Sequence, residues 1–493
     1  MTNEVELKFD VENGGARAIR RSELLGSQPC HRQHYDTLYY DSEDGALRKA
    51  GYTLRIRGSG DQHVQTVKCK TGSSAGLFVR QEWESEVPGF VVDLEMLKLT
   101  PFGRQMEKCE VGTLMAVNSS AIDRTSWVLE HQGSRIQVDL DEGKIAAAER
   151  ETPVCEVELE LKFGKADALF ALAEKLGRVT PLRLGVLSKS ERGELLAKDK
   201  IGRAAKAEST DLPVPIGQAE AFLAIVHACL RHFRLNENVL LEADDVEALH
   251  QARVSLRRLR SALPLFKDTV HGAEYRVLKE ELRWFSQCFG DARNLDVLIA
   301  RLEGSDSLDE SMRKPLQQAR SKAYKQVTEA LRSERARTLM MRLVSWIETG
   351  SWRSRKAAQE DLSILAQYQL DRQWRRIWRH ASILGELEPQ ELHRLRIRIK
   401  KLRYNSEFLA SLYDEKDRSK QRDRFIAALK DLQECLGDLN DAWTAEELVK
   451  RLPGKLRTVV TDIHGAPAQE RTMQAVEKAF DHACSAAGYW EIG

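Results

Sequence analysis

The sequence predicts an α+β protein with two domains, an antiparallel β-barrel followed by an all-α region. Up to about residue 195, polar and apolar residues alternate with period two, as they do in strands with one buried face. Beyond residue 216, long apolar patterns with a period near 3.6 replace this alternation and indicate helices. A chain of 493 residues is also too long for a single hydrophobic core.

The first predicted strand carries its charges on one face. In Glu4-Val5-Glu6-Leu7-Lys8, charged and apolar residues alternate, so Glu4, Glu6 and Lys8 point the same way. Neighbouring carboxylates repel unless a cation lies between them, and hard divalent cations prefer oxygen ligands. This strand is therefore a candidate metal site, with an ordinary solvated edge strand as the alternative.

The later strands separate their charges by sign. Cationic side chains share one face on several of them: Arg55, Arg57, Lys68, Lys70, Arg80 and Arg124. The strand Cys155–Lys162 repeats the opening pattern with Glu156, Glu158 and Glu160. An ordinary half-exposed sheet would show the same alternation, but its solvated face would mix Thr, Ser, Gln and Lys. The separation of charges favours a closed barrel whose polar tunnel suits a polyanionic, metal-bound substrate.

The helical region contains a repeated basic pattern. Spacings of 3, 4 and 3 occur twice, in His250, Arg253, Arg257 and Arg260 and again in His393, Arg396, Lys400 and Arg403. Each set lies on one stripe of a helix, where like charges repel by roughly 0.2–0.5 kcal/mol per pair. We predict two repeated helical bundles that present both stripes to a common groove, each followed by a Gly-Asp turn, at Gly290-Asp291 and Gly437-Asp438. The alternative is that both stripes are ordinary solvated helix faces.

The composition of the chain predicts the boundaries of the two domains and the cellular location of the protein. The polar segment 201–215, which ends with Leu212-Pro213-Val214-Pro215, predicts a linker between domains at 1–200 and 216–493. The eight cysteines show no metal-ligand spacing, no apolar run approaches about 20 residues, and the N-terminus opens directly into a charged strand. We therefore expect a cytoplasmic protein without a signal peptide or membrane contact.

Seven segments in the first domain carry a family resemblance: EVELK, LRIR, VKCK, VRQEW, Asp141 before Glu-Gly-Lys, CEVELELK and SKSERG. Together they resemble the CYTH superfamily, whose triphosphate tunnel metalloenzymes include adenylate cyclases of one class, thiamine triphosphatases and inorganic triphosphatases. The resemblance covers residues 1–200. It implies that Asp141, Glu156 and Glu158 hold Mg²⁺ or Mn²⁺, and that Glu4 and Glu6 hold a second metal ion that delivers the attacking water.

The resemblance also implies roles for the cations. Lys8 would contact the terminal phosphate, which makes Glu4, Glu6 and Lys8 the expected catalytic set. Charge-assisted bonds to phosphate oxygens are expected from Arg55, Arg57, Lys68, Lys70, Arg80, Arg124, Lys189 and Arg192. Glu160 lies furthest along its strand and is expected only to support the others.

The helical domain has its own family resemblance. HQARVSLRRLRS and HRLRIRIKKLRY resemble the two signature helices of CHAD domains, which bind inorganic polyphosphate. This implies that the eight residues of the two stripes bind long-chain polyphosphate. Asn294 departs from the family, which more often has Asp at this position. The stripes lack interleaved aromatic residues, which argues against nucleic acid.

The combination of a CYTH with a CHAD domain is the architecture of bacterial inorganic triphosphatases. We therefore expect metal-dependent hydrolysis of inorganic tripolyphosphate to pyrophosphate and phosphate. Three alternatives remain: a non-catalytic polyphosphate-binding scaffold, a thiamine triphosphatase or a nucleoside triphosphatase. Association with polyphosphate granules is a further option for its location. Because every expected ligand of the tunnel lies before the linker, residues 1–200 are expected to be active alone.

Overall fold

The structure is a computed structural model and describes residues 2–12, 14–70, 75–106, 113–304, 310–449 and 466–491. The chain forms two units. Met1–Arg203 and Glu334–Thr349 form the first, here called the barrel unit, and Ala204–Ser333 and Gly350–Gly493 form the second, the helical unit.

The period-two alternation folds as strands. Within the described residues there are nine: β1 (Thr2–Val11), β2 (His31–Asp41), β3 (Tyr52–Ser59), β4 (Gln62–Lys70), β5 (Leu77–Val87), β6 (Met115–His131), β7 (Ser134–Ala147), β8 (Arg150–Phe163) and β9 (Leu182–Leu184). All of their pairings are antiparallel.

The sheet closes on itself, as predicted. Its order is β5-β4-β3-β2-β6-β7-β8-β1, and β1 pairs with β5 as well, which completes a barrel. Leu7 and Phe9, on the other face of β1 from Glu6 and Lys8, are fully buried. The short β9 extends β1 by pairing Phe9–Val11 with Leu182–Leu184. The predicted antiparallel barrel is therefore confirmed.

Helices follow and interrupt the strands. In the first 203 residues, the described helices are α1 (Gly15–Arg21), α2 (Ala46–Lys49), α3 (Leu94–Lys98), α4 (Pro101–Met106), α5 (Asp167–Val179) and α6 (Lys189–Ala197). The later described helices are α7 (Gln218–Glu242), α8 (Val246–Leu265), α9 (Lys267–Val270), α10 (Ala273–Cys288), α11 (Gly290–Gly304), α12 (Glu310–Arg332), α13 (Glu334–Thr349), α14 (Lys356–Gln359), α15 (Leu362–Trp378), α16 (Pro389–Phe408), α17 (Lys416–Val449) and α18 (Ala466–Ala486). Short 3₁₀ segments lie at Ser351–Ser354, Ala381–Glu386 and Ala410–Tyr413.

The start of α6 is fixed by a reciprocal cap. Ser188 Oγ accepts a hydrogen bond from the Glu191 backbone N–H at 3.2 Å, and the Glu191 carboxylate accepts one from the Ser188 backbone N–H at 2.9 Å. Such a capping box satisfies donors that the first turn of a helix leaves unpaired. It places Lys189 and Arg192 on the first turn of α6, which packs against β6, β7 and β8.

The helix α13 belongs to the barrel unit, although the sequence pattern at Ala336–Ile347 predicted a helix of the all-α domain. It packs against α5 and β9. A period near 3.6 predicts that a segment is helical, but it does not tell which neighbour will cover its apolar side.

The helical unit places both basic stripes on long helices. The helix α8 carries the first stripe and packs against α7, α10, α11 and α16, and α16 carries the second stripe and packs against α15 and α17. The helix predicted at Ser363–Gly385 ends earlier, at Trp378, and a 3₁₀ segment follows. Among the described residues, no helix is long and apolar enough to span a bilayer.

Both predicted Gly-Asp turns lie in helices, since Gly290-Asp291 begin α11 and Gly437-Asp438 lie within α17. The chain does break at Phe289, between α10 and α11, but α17 runs straight through Gly437-Asp438. A glycine costs a helix only about 1 kcal/mol relative to alanine. Here Leu432, Leu436 and Leu439 stay buried on one side of α17, and this packing maintains the helix across the glycine.

Candidate functional site

Three carboxylates meet inside the barrel. Asp141 on β7 lies opposite Glu156 on β8, and Glu158 follows two positions later on the same face. One oxygen from each of the three lies within 4.8 Å of the others. These residues, here called the carboxylate trio, are those that the family resemblance singled out.

An arginine fork holds two members of the trio. Arg124 donates from Nε and Nη2 to the two oxygens of Asp141, both at 2.6 Å, and Nη2 also donates to Glu158 Oε2 at 2.6 Å. Its Nη1 donates to Asp139 Oδ2 at 2.7 Å. Such bidentate, charge-assisted bonds fix the plane of a carboxylate as well as its position.

Two lysines complete the network around the trio. Lys8 Nζ lies 2.9 Å from Glu156 Oε1 and 3.1 Å from Glu158 Oε1. Lys189 Nζ lies 2.7 Å from Asp141 Oδ2 and 3.0 Å from Glu158 Oε1, and it also contacts Glu156. The register of the barrel and the capped start of α6 thus bring together residues from five separate elements, β1, β6, β7, β8 and α6.

The network stays ionised despite its burial. Burial favours the neutral form of Glu158, but Lys189, Lys8 and Arg124 outweigh it and hold the pKa of this carboxyl well below its usual value. The pKa of Asp141 is also lowered, because Lys189 and Arg124 outweigh the effect of burial. Glu158 and Asp141 therefore present charged oxygens at neutral pH.

Glu4 and Glu6 lie beside this network. Glu4 Oε2 accepts a hydrogen bond from Lys68 Nζ at 2.9 Å, and Lys68 also contacts Glu82. Burial, then Glu158, then Glu4 raise the pKa of Glu6 to about 7. No cation lies within 4 Å of the Glu6 carboxylate among the residues that the structure describes, so this part of the tunnel holds surplus negative charge.

The donor set fits a hard divalent cation. The trio offers carboxylate oxygens alone, the ligand type that Mg²⁺ and Mn²⁺ prefer. Glu156 Oε2 is buried and has no hydrogen-bond partner within the described part of the chain. Arg192 Nη2 lies 3.7 Å from this oxygen, too far for a hydrogen bond. A metal ion would satisfy this oxygen.

The other predicted phosphate ligands line the same tunnel. Arg55 and Arg57 share the inner face of β3, and the buried Arg55 Nε has no hydrogen-bond partner in the described ranges. Burial, Arg55 and Arg124 lower the pKa of Arg57 to about 10. Arg80 lies over the ring of Phe78 at 4.2 Å. The Lys70 side chain lies outside the described residues.

Sequence reasoning missed three acidic residues of the network. Asp139 accepts from Arg124, Asp10 accepts from Arg192 Nη2 at 3.1 Å, and Glu82 contacts Lys68. The signal was present, because Asp10 continues the period-two series of β1 and Asp139 precedes Asp141 by two residues.

A basic groove occupies the helical unit. Its volume is about 910 Å³, and all eight residues of the two stripes line it. Further cations that the sequence pattern did not single out also line it: Lys279, Arg283, Arg293 and Lys401. They come from α10, α11 and α16 and have no shared spacing that would reveal them. Asn294, the departure from the family pattern, lines the groove as well.

The positive charge of the groove is only partly neutralised. In the described residues, no carboxylate lies within 4 Å of Arg253, Arg257, Arg260 or Arg293, whereas Arg403 contacts Glu407. Burial, Arg257 and Arg293 lower the pKa of Arg253 to about 10. Crowded cations of this kind are expected where a polyanion binds.

His250 differs from its neighbours. Burial, Arg293 and Arg257 lower its pKa to about 4, so the imidazole is neutral at pH 7. At this pH it therefore offers hydrogen bonding and not charge.

Comparison with known proteins agrees with this geometry. The CYTH domain model matches residues 2–193, and the CHAD domain model matches residues 224–450. An inorganic triphosphatase of Haemophilus influenzae is 36% identical over 163 residues, which are 32% of this chain and 44% of that protein. The match thus spans less than half of that relative.

Two solved structures are also similar. A CHAD domain from the plant Ricinus communis is 27% identical, with a TM-score of 0.47, over 55% of this chain and 96% of that one. A candidate adenylyl cyclase from Hippeastrum, described as having a dominant triphosphatase activity, is 16% identical, with a TM-score of 0.32, over 40% of this chain and 96% of that one.

Two family models match successive parts of the chain, and a closed antiparallel barrel precedes the helical unit. The chain is therefore a two-domain protein in which a CYTH domain is followed by a CHAD domain.

Proposed function

We propose that the barrel unit is a metal-dependent inorganic triphosphatase, which hydrolyses tripolyphosphate to pyrophosphate and phosphate. The observation that carries this proposal is the carboxylate trio inside a tunnel whose walls also carry arginines and lysines. A pure binder of polyanions has no use for three buried carboxylates, because they would repel its ligand. Through a metal ion, the same carboxylates bind the ligand indirectly.

The carboxylates and the lysines of the tunnel would have different roles in phosphoryl transfer. Asp141, Glu156 and Glu158 would hold Mg²⁺ or Mn²⁺, which neutralises phosphate charge and activates water when bound. Lys8 and Lys189, now bonded to the trio, lie where they can turn to phosphate oxygens. Glu4 and Glu6 lie beside them, and the pKa of about 7 at Glu6 reflects a charge that a second cation would relieve.

The cationic wall supplies most of the substrate binding. Arg55 and Arg57 lie on β3, which is across the closed strand order of the barrel from β8, so a chain of phosphates can lie between these arginines and the metal-binding carboxylates. Arg80 lies on β5, beside β1. The orphaned Arg55 Nε is one donor that such a chain would satisfy.

We propose that the basic groove of the helical unit binds long-chain polyphosphate. Its cations come from both stripes and from two further helices, and Arg253, Arg257 and Arg260 of α8 have no carboxylate within 4 Å in the described part of the chain. A polymer that contacts both stripes gains from the high effective concentration that its first contact creates.

Substrate profiling of the purified full-length chain tests the catalytic proposal. Phosphate release is measured with tripolyphosphate, ATP, thiamine triphosphate and pyrophosphate, with Mg²⁺, with Mn²⁺ and with EDTA. The proposal expects the largest kcat/KM with tripolyphosphate and no turnover in EDTA. A preference for thiamine triphosphate or ATP would establish one of the alternative triphosphatases. Binding without turnover of any substrate would establish the scaffold.

A further inference from the structure

The helix α13 is buried more deeply than a surface helix of a bundle. Its buried side chains are Ala336, Leu339, Met340, Met341, Leu343, Val344, Trp346 and Ile347. At 3.6 residues per turn, these positions cover well over half of the helix circumference. A helix that only lies on a surface buries a stripe of about 100°. This helix belongs to the barrel unit, although the CHAD model matches the segment.

The elements that contact α13 connect it to β1, the strand that carries Lys8. It packs against α5 and against β9, whose three residues Leu182, Arg183 and Leu184 are all buried. The strand β9 in turn pairs with β1 over Phe9–Val11. A displacement of α13 is therefore passed to β1 through one intervening strand.

Lys8 lies where β1 changes partner. Up to Leu7, β1 pairs with β5, and from Phe9 onward it pairs with β9. At the junction, the Lys8 N–H donates to the Gly76 carbonyl at 2.8 Å, and the Lys8 carbonyl accepts from the Gly185 N–H at 2.9 Å. The Lys8 backbone is thus held by two loop residues and not by regular strand pairing on that side.

Gly185 also contacts the Lys8 side chain. A Cβ atom on Gly185 would lie 2.7 Å from Lys8 Cγ, so the residue directly after β9 supports the stem of this lysine. The Lys8 Nζ atom lies at the other end of that stem, 2.9 Å from Glu156 and 3.1 Å from Glu158. The position of β9 therefore sets the position of the Lys8 ammonium group.

We propose that α13 is a positioning element of the tunnel, which holds Lys8 against the carboxylate trio through β9 and Gly185. The catalytic unit then comprises residues 1–203 together with 334–349, and residues 1–200 alone are incomplete. The effect on catalysis rests on the proposed triphosphatase activity, but the effect on Lys8 does not.

A bulky side chain introduced between α5 and α13 in the full-length chain tests whether α13 positions Lys8. A Cβ atom on Gly177 of α5 would meet Met341 Cε of α13 at 4.0 Å, an ordinary contact, and nothing else within 4 Å. Gly177→Trp therefore pushes on α13, while Gly177→Ala leaves it in place. Lys175→Trp is the matched control, because Lys175 is an exposed residue on the same helix.

The first readout is hydrogen–deuterium exchange of the Lys8 and Gly185 backbone amides, measured by mass spectrometry. In Gly177→Trp both should exchange about tenfold faster or more, and in Gly177→Ala and Lys175→Trp they should exchange at the wild-type rate. If Gly177→Trp unfolds the chain, Met341→Ala removes the same contact without a clash and gives the same readout.

The second readout is tripolyphosphate hydrolysis. Displacement of Lys8 should raise KM more than it lowers kcat, because Lys8 is expected to bind the terminal phosphate. Wild-type exchange at Lys8 and Gly185 in both Gly177→Trp and Met341→Ala would overturn the proposal. If the wild-type chain hydrolyses nothing, the proposed activity is wrong, and the exchange experiment still decides the role of α13.

Discussion

The guanidinium group of Arg396 lies directly against Gly437, so that a Cβ atom on this glycine would be only 2.9 Å from Nη2. The other half of the helical unit repeats the arrangement with more space, since a Cβ atom on Gly290 would be 3.8 Å from Arg253 Nη1. The glycines that follow the two stripes thus lie against the second residue of each stripe, Arg253 or Arg396, whether or not the helix breaks there.

Gly437→Ala should weaken polyphosphate binding severalfold and change stability little. The clash falls on the flexible end of Arg396, which can move away, but it then leaves its place in the groove. Gly290→Ala is the matched control, because its new methyl group meets Arg253 at ordinary contact distance. Titration of the full-length chain with long-chain polyphosphate gives both affinities. Equal losses in the two variants would contradict this interpretation.

Glu156→Gln should lower kcat for tripolyphosphate hydrolysis at least ~100-fold, because it removes a charged ligand from the carboxylate trio. Calorimetric titration with Mn²⁺ should show weaker metal binding in the same variant. Glu160→Gln is the control, since Glu160 lies on the same strand but outside the trio. Turnover that persists in EDTA would show that no metal ion takes part.

Glu6 should make the metal-free protein less stable as pH rises. Because burial and neighbouring carboxylates raise its pKa from 4.5 to about 7, the folded state keeps a proton that the unfolded state loses across this window. Stability therefore falls between about pH 4.5 and pH 7. Glu6→Gln removes this loss and should be more stable than wild type by roughly 3 kcal/mol at pH 8, with little difference near pH 4.5.

Urea unfolding in EDTA at several pH values measures this difference. Glu86→Gln serves as the control, because Glu86 is an exposed carboxylate on β5 and its replacement should leave the pH dependence unchanged. A stability gap between Glu6→Gln and wild type that stays constant with pH would show that Glu6 does not titrate in this range.

Polyphosphate binding should fall steeply with salt, since cations that bind the polymer release its counterions. Charge reversal of Arg257 and Arg260, or of Lys400 and Arg403, should each weaken binding severely and reduce the salt dependence. Reversal of all four should abolish binding, while tripolyphosphate hydrolysis should barely change. The control reverses Lys420 and Arg424, which are exposed on α17 outside the groove. Wild-type affinity in the fourfold variant would mean that the stripes are ordinary solvated faces.

The barrel could be predicted from the sequence because its signal is local. Each strand shows period two by itself, and the charge on one face distinguishes a polar tunnel from an ordinary sheet. The trio was predicted through the family resemblance, whereas period two by itself places only Glu156 and Glu158 on one strand face. The hydrogen bonds of Arg124 to these carboxylates could not be predicted from the sequence, because they depend on the register between β6, β7 and β8.

Two other features depend on packing that the chain order does not reveal. The apolar residues of α13 predict a helix, but not that β9 and α5 would cover it. The groove cations Lys279 and Arg293 come from separate helices, and only the fold brings them to the stripes. The turn predicted at Gly437-Asp438 was wrong, because a single glycine does not end a helix whose apolar side remains packed on both sides of it.

The position of β1 has a consequence for how the barrel forms during synthesis. This strand is synthesised before its partners β5, β8 and β9, which are complete only at residues 87, 163 and 184. Until then β1 is an open edge, and unpaired edges of this kind tend to join other chains. The alternating charges Glu4, Glu6 and Lys8 oppose such association. The residues proposed to serve the tunnel in the finished protein therefore also protect the nascent chain that carries them.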